Sequence, residues 1–235
     1  MQMADRTFLD DFHILDLTHP LSKHSPTWNG SCGFCLEIKK DYDRIFRVQQ
    51  IKMHAGLGTH MDAPSHCIPG GASIADIPVH KLVSPACLID VSHKASQDYA
   101  ISKEDIFDYE KNYGTIRKGS LVIGYTGWDL FWTNPIKYRN VDAQGKMHFP
   151  SFSEEAAQIL LQRDVGGIAI DTLSPDCSED SFPVHTLFLG SGKYIIENIA
   201  ECSKLPPKGA YVITLPLKAE EATEAPTRII ALIPS

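Results

Sequence analysis

The chain of 235 residues contains no run of 18 or more apolar residues, so no segment reads as a membrane-spanning helix. It has no basic excess. Its 22 Lys and Arg stand against 29 Asp and Glu, and the net charge of −7 argues against nucleic acid or an anionic membrane as a partner. It also lacks a disulfide framework: its six cysteines are scattered through a chain long enough to bury a core without staples, so free thiols in a reducing compartment are expected. Cys32-Gly-Phe-Cys35 is an isolated CxxC without the second pair that a structural zinc site uses. There is no internal repeat and no low-complexity tract. The opening stretch MQMADRTFLDDFHILDL has no signal-peptide apolar segment, so the expectation is a cytoplasmic protein. Gly190-Ser191-Gly192 is not a nucleophile elbow, because its glycines flank the serine directly.

What remains is ordinary globular usage, 43% hydrophobic and 22% charged, over a length that suits one domain across 1–235. Apolar alternation and short buried-looking runs predict strands at 13–18, 48–53, 86–91, 121–125, 168–171, 193–198, 210–215 and 228–233. Ser102 followed by Asp105 is a capping-box start for a helix to about Asn112, and Ser153 caps a second helix with Glu154 and Glu155 in its first turn. The region 129–150 is aromatic and polar without a period, and Lys218–Thr227 reads as a solvated loop. Strands outnumber helices by more than two to one, which predicts an α/β class with a large mixed sheet and few helices.

The chemistry gathers in His54–Gly71, HAGLGTHMDAPSHCIPGG, which holds His54, His60, Asp62 and His66 among glycines and Pro64. Imidazole and carboxylate together form the ligand sets of zinc, manganese and iron. A helix would turn His60 and Asp62 about 200° apart, and Pro64 opposes a helix interior. A strand puts both on one face with Cα atoms roughly 6.6 Å apart, within reach of one ion. Cys67 follows His66 directly, and on a strand the two would point to opposite faces, which speaks against a cysteine–histidine nucleophile. A second group, Asp171, Asp176, His185 and Glu197, lies downstream. Glu197 follows Tyr194-Ile195-Ile196 into what reads as a buried strand, where a carboxylate needs a partner and a metal ion is a strong one. Trp28, in a Pro- and Gly-rich loop, is equally suited to covering a core or walling a pocket, and the same choice holds for Trp128.

Several motifs together resemble one family. They are Asp-Leu-Thr-His-Pro-Leu at 16–21, G-T-H-x-D-x-P-x-H at 58–66, Thr-Gly-Trp at 126–128 and Phe-Pro-Ser-Phe-Ser at 149–153, followed by Asp-Thr-Leu-Ser-Pro-Asp at 171–176, the His185/Glu197 pair and Ala-Pro-Thr-Arg at 225–228. The chain is similar to the cyclase-like metal-dependent hydrolases, which include the bacterial kynurenine formamidases and isatin hydrolase. The resemblance implies a swivelling β/β/α fold, a homodimer or homotetramer, and hydrolysis of an amide C–N bond in a small, aromatic substrate. It implies one or two divalent ions, zinc first and manganese as the alternative. Carried onto this chain, it makes His60, Asp62, His185 and Glu197 metal ligands, with Asp62 bridging where two ions occur. It also makes His66 the general acid/base and Trp28 a substrate contact.

A zinc ion would lower the pKa of its water to about 7 and polarise the scissile carbonyl, while imidazole, which titrates near neutrality, would relay the proton. The sequence departs from the family's HxGTHxD at one ligand. Aligned without a gap, the first histidine's place is Gly56, which predicts a depleted first site. His54 would stand roughly 20 Å from His60 in a straight strand, too far to share an ion. If Leu57-Gly58 is instead a bulge, His54 can swing in. The rival reading from another class is a catalytically impaired member that binds a small molecule or metal without turnover.

Overall fold

The computed structural model describes residues 7–42, 45–177 and 181–235; the first six residues of the opening stretch read above lie outside them. In chain order the elements are β1 (Phe12–Asp16), β2 (Phe34–Lys40), β3 (Val48–Met53), β4 (His60–Asp62), β5 (Val83–Asp90) and β6 (Ala100–Ile101). Then come α1 (Lys103–Tyr113), β7 (Leu121–Tyr125), α2 (Pro135–Arg139), β8 (Ser151–Phe152) and α3 (Glu154–Gln162). The chain ends with β9 (Gly167–Ile170), α4 (Pro183–Gly190), β10 (Tyr194–Glu197), β11 (Tyr211–Pro216) and β12 (Glu224–Pro234). The two capped helices form where their caps predict. Ser102 accepts from the Asp105 amide while Asp105 accepts from the Ser102 amide, and Ser153 accepts from the Ala156 amide.

Eight strands make one sheet in the order β1-β12-β11-β5-β7-β9-β10-β4, and β4 pairs back onto β12, so the sheet closes on itself. Strands β5, β7, β9 and β10 run parallel, and the rest of the ladder is antiparallel. This is the large mixed sheet with few helices that the α/β expectation describes, closed in a barrel-like form. The parallel strands β7 and β9 are buried at every residue, as strands covered on both faces must be.

Side-chain alternation splits the interior in two. Leu88, Leu121, Ile123, Ala169, Ile196 and Ala231 meet in one cluster on one face of the closed sheet. Their neighbours Cys87, Ile89, Val122, Ile168 and Ile195 face the other way, onto Ile106 of α1, Leu160 of α3 and Phe188 of α4. Burying each such aliphatic side chain contributes about 1.5–3 kcal/mol before entropy.

This alternation aims the site. Met61 in β4 is fully buried in the first cluster, so His60 and Asp62 point to the opposite, helix-bearing side. The strand expected at His60–Asp62 is present, but it ends at Asp62, and Pro64 starts a 3-10 turn through His66. The short β6, β8 and α2 went unread in the sequence, and so did two longer elements, β2 and α4. Strand β2 pairs with the expected strand β3 in a hairpin that stands outside the main sheet and is exposed along most of its length, while α4 carries His185. Among the described residues no helix is long and apolar enough to cross a membrane.

Candidate metal centre

The short strand β4 lies between β10 and β12, and the register fixes what faces it. Glu197 of β10 is opposite His60, and Glu224 of β12 is opposite Asp62, all with side chains on the helix side. Helix α4 packs on β10 and on the 64–66 turn and brings His185 over the same spot. The structure therefore brings together all four residues singled out as ligands, from stretches more than 120 positions apart. His60 Nε2 is 3.4 Å from Asp62 Oδ1 and 3.3 Å from Glu197 Oε2, while His185 Nε2 is 3.3 Å from Glu197 Oε1 and 3.7 Å from Asp62 Oδ2. Asp62, His185 and Glu197 offer ligand atoms within 4.8 Å of one another, and all three residues are buried.

Each histidine is oriented from behind. The Nδ1 of His60 lies 2.8 Å from the Gly58 carbonyl, which also accepts from the Asn198 side chain. The Nδ1 of His185 lies 2.8 Å from Asp176 Oδ2. With Nδ1 occupied as a donor in both rings, both Nε2 atoms face the centre as lone pairs when neutral. Asp176 had no assigned role in the sequence. It also accepts from the amides of Val184 and His185, and so holds the start of α4 that the local sequence leaves without a side-chain cap.

The electrostatics call for positive charge. Burial disfavours protonating His60, yet the Asp62 and Glu197 carboxylates and the Gly58 carbonyl outweigh it and push the imidazole up to about 10. His185 is likewise disfavoured by burial but pushed up to about 12 by Asp176, Asp62 and Glu197. Burial would raise Asp62, but the facing imidazoles hold it below the usual carboxylate range. Both Asp62 oxygens are nonetheless buried without a hydrogen-bond partner. A divalent cation is the natural complement to such a set. The donors are imidazole nitrogen and carboxylate oxygen, and no thiolate stands among the converging atoms.

His60, His185 and Glu197 of the cluster line a cavity of ≈ 490 Å³, a size that suits a small organic ligand. Trp28 lines it, 39% exposed, with its ring edge-on to Phe149 at 6.2 Å and tilted against Phe182 at 5.9 Å. Trp128 instead belongs to a buried aromatic cluster with Trp132, Tyr138 and Phe149, and its indole N–H donates to the Tyr138 carbonyl. His66 lines the cavity with its ring 6.0 Å from His185. Cys67 lines it too, because a 3-10 turn and not a strand carries residues 64–66, so strand alternation does not separate the pair. Burial pushes the Cys67 thiol up, away from a ready thiolate.

His54 also lines the cavity, but it is in neither group of converging ligand atoms found among the described residues. The residue the sequence reading missed is Glu224. Lys218–Thr227 is not a solvated loop throughout: β12 begins at Glu224 and pairs with β4, and Ala225 and Thr227 are buried. The acidic run KAEEATEAPT hides this, since only pairing with a strand some 160 residues away distinguishes Glu224 from its neighbours.

Comparison with known proteins follows the geometry. Isatin hydrolase of Roseibium aggregatum is 32% identical over 94% of this chain and 87% of its own length. Kynurenine formamidase of Bacillus cytotoxicus is 26% identical over 92% of this chain and 95% of its own. The solved structure of isatin hydrolase A from Labrenzia aggregata bound to benzyl benzoate superposes with a TM-score of 0.87, at 30% identity, covering 96% of this chain and 95% of that one. Residues 15–177 match the family described as "Putative cyclase". With that match over most of its length and a relative above 30% identity across nearly all of it, the chain belongs to the Cyclase family.

Proposed function

We propose that this protein is a metal-dependent amidohydrolase, one domain over 1–235, that opens a cyclic or formyl amide on a flat aromatic substrate. The observation that carries the reading is the convergence of Asp62 with His185 and Glu197, which line the cavity, with both Asp62 oxygens buried and unpartnered. His60, Asp62, His185 and Glu197 would hold the cation. Zinc is the proposed ion because histidine–carboxylate sets are typical of its catalytic sites, and manganese accepts the same donors. When bound, such an ion supplies Lewis acidity to a carbonyl and makes water a nucleophile at neutral pH.

The chain's own groups do the rest. Gly58 and Asp176 hold the two imidazoles so that Nε2 of each faces inward. Trp28 and Phe182, tilted 52° to each other, wall the cavity on the side where an aromatic ring would lie. His66 is more open than the ligands, with 35% of its side chain exposed against 5% for His60. That placement suits a general acid/base that takes a proton from water and returns it to the leaving nitrogen. This is worth ~10²–10⁴ in rate.

The substrate class is supported by the relatives that carry the names isatin hydrolase and kynurenine formamidase. A homodimer or homotetramer is supported by the β2–β3 hairpin, where Leu36, Ile38 and Ile51 share one exposed face that a lone two-stranded ribbon could not maintain profitably in water. A reducing, cytoplasmic setting is supported by the free, exposed thiols of Cys32, Cys35 and Cys67. The test is protein stripped of metal, then reloaded with zinc or manganese and assayed on isatin and an N-aryl formamide. Hydrolysis that depends on the added ion supports the reading. Inactivity on both classes with the ion bound, verified by elemental analysis, would assign the chain to binding without turnover.

A further inference from the structure

We infer that Glu224 replaces the ligand that Gly56 cannot supply, completing a second cation position with His60 and Asp62. The inference rests on the metal-centre reading above and adds a residue that the family motif does not contain. A Cβ placed on Gly56 would stand 2.5 Å from Glu224 Oε2 and 2.9 Å from its Cδ. The carboxylate of Glu224 therefore occupies the space where a side chain at 56 would begin. Pairing of β12 with β4 puts Glu224 directly opposite Asp62, on the same face.

His60, Asp62 and Glu224 each offer one ligand atom, all within 4.8 Å of one another. Two ligands opposed across one ion, each about 2.2 Å from it, are separated by up to about 4.4 Å, so small side-chain rotations close the set. Asp62 completes the geometry. Its Oδ1 faces His60 Nε2 at 3.4 Å and its Oδ2 faces His185 Nε2 at 3.7 Å, and neither oxygen accepts a hydrogen bond. One oxygen is thus directed to each triad, which is the arrangement of a carboxylate shared by two ions.

Charge balance points the same way. Asp62, Asp176, Glu197 and Glu224 crowd one site, and their ion pairs among the described residues all go to His60, His66 and His185. The Glu224 side chain remains 25% exposed, so its ion sits nearer solvent and is held more weakly than the one at Asp62, His185 and Glu197.

The test is equilibrium dialysis of the full chain against zinc and against manganese, with metal per chain read by elemental analysis and folding verified by circular dichroism. The unaltered protein should take up two ions, the second more weakly. Glu224→Ala and the isosteric Glu224→Gln should weaken the second ion at least ~10²-fold, beyond what loss of a mere supporting partner costs, and leave the first in place. The manganese-loaded protein should show the exchange-coupled electron paramagnetic resonance signal of a pair, and Glu224→Ala that of a single ion. Combining Gly56→His with Glu224→Gly should restore two ions. No ion at all in the folded, unaltered protein would sink the metal-centre reading itself. One ion, or two in the Glu224 variants, would overturn only the role of Glu224. So would unchanged stoichiometry with an altered pH–rate profile, which would make Glu224 a positioning residue for His66, 3.6 Å away.

Discussion

Acidification should loosen this fold through His19 in a way that one substitution can isolate. His19 follows β1, is 9% exposed, and stacks on Trp132 with centroids 4.1 Å apart and planes 8° from parallel. Its Nε2 is buried without a hydrogen-bond partner. Burial, only partly opposed by the Glu201 carboxylate, lowers its pKa from 6.5 to about 4. Between those values the unfolded chain binds a proton that the folded chain refuses, so stability rises with pH there. The contribution is complete above pH 6.5 and is lost as pH falls towards about 4. At ~1.4 kcal/mol per tenfold, the whole interval is worth about 3 kcal/mol, a large share of the ~5–15 kcal/mol that holds a domain together. The loss bears on the site, because the His19 amide donates to Thr59 Oγ1, and that hydroxyl donates to the Asn198 carbonyl beside His60. The assay is urea unfolding of metal-free protein from about pH 7.5 to about pH 4, for the unaltered chain and for His19→Phe, which keeps the stacked ring and removes the titrating nitrogens. The stability difference between the two should shift in favour of the variant by about 3 kcal/mol across that interval. Curves that fall in parallel would refute the argument, since every other titrating group is common to both.

Other predictions concern the site and the packing behind it. His66→Ala should keep its metal while kcat falls by ~10²–10⁴; loss of metal on elemental analysis would make His66 a ligand instead. Asp176→Ala frees Nδ1 of His185 and two amides at the start of α4, so metal affinity should drop about 10–100-fold in equilibrium dialysis. An unchanged affinity would show that the helix orients His185 unaided. Gly124→Ala would put a Cβ 2.4 Å from Ile101 Cδ1 and 2.7 Å from Phe152 Cζ, between β7 and the β6–β8 ribbon. Overpacking of this kind costs about 1–3 kcal/mol and should lower Tm by roughly 2–12 °C; a Tm that does not move would mean the ribbon yields freely.

The parts of this protein legible in the sequence are those decided within a few residues. Strand β4 was readable because two metal donors at i and i+2 on a Pro-terminated segment converge only on a strand. Helices α1 and α3 were readable because Ser102 and Ser153 cap their own first turns. Helix α4 gave no such signal. It has eight residues, its Phe182 cap residue makes no side-chain bond, and its capping carboxylate, Asp176, lies outside the helix. Strand β2 was missed for the opposite reason: with Leu36 and Ile38 exposed, its alternation marks no buried face within this chain, whereas its partner β3 lies where a strand is expected.

Closure of the sheet was beyond local reading altogether, and the site depends on it. A three-residue strand holds the centre only because β10 flanks it on one side and β12 on the other. From the sequence, Gly56 reads as a ligand lost and Glu224 as one acid in a solvated run. In space a carboxylate oxygen stands 2.5 Å from where the missing Cβ would be, so the two positions constrain each other. A side chain at 56 with Glu224 in place would collide with it. A small apolar residue at 224 with Gly56 in place would widen the cavity beside a buried, unpartnered aspartate. Gly56 thus leaves free the space that the Glu224 carboxylate of β12 occupies beside the candidate metal centre.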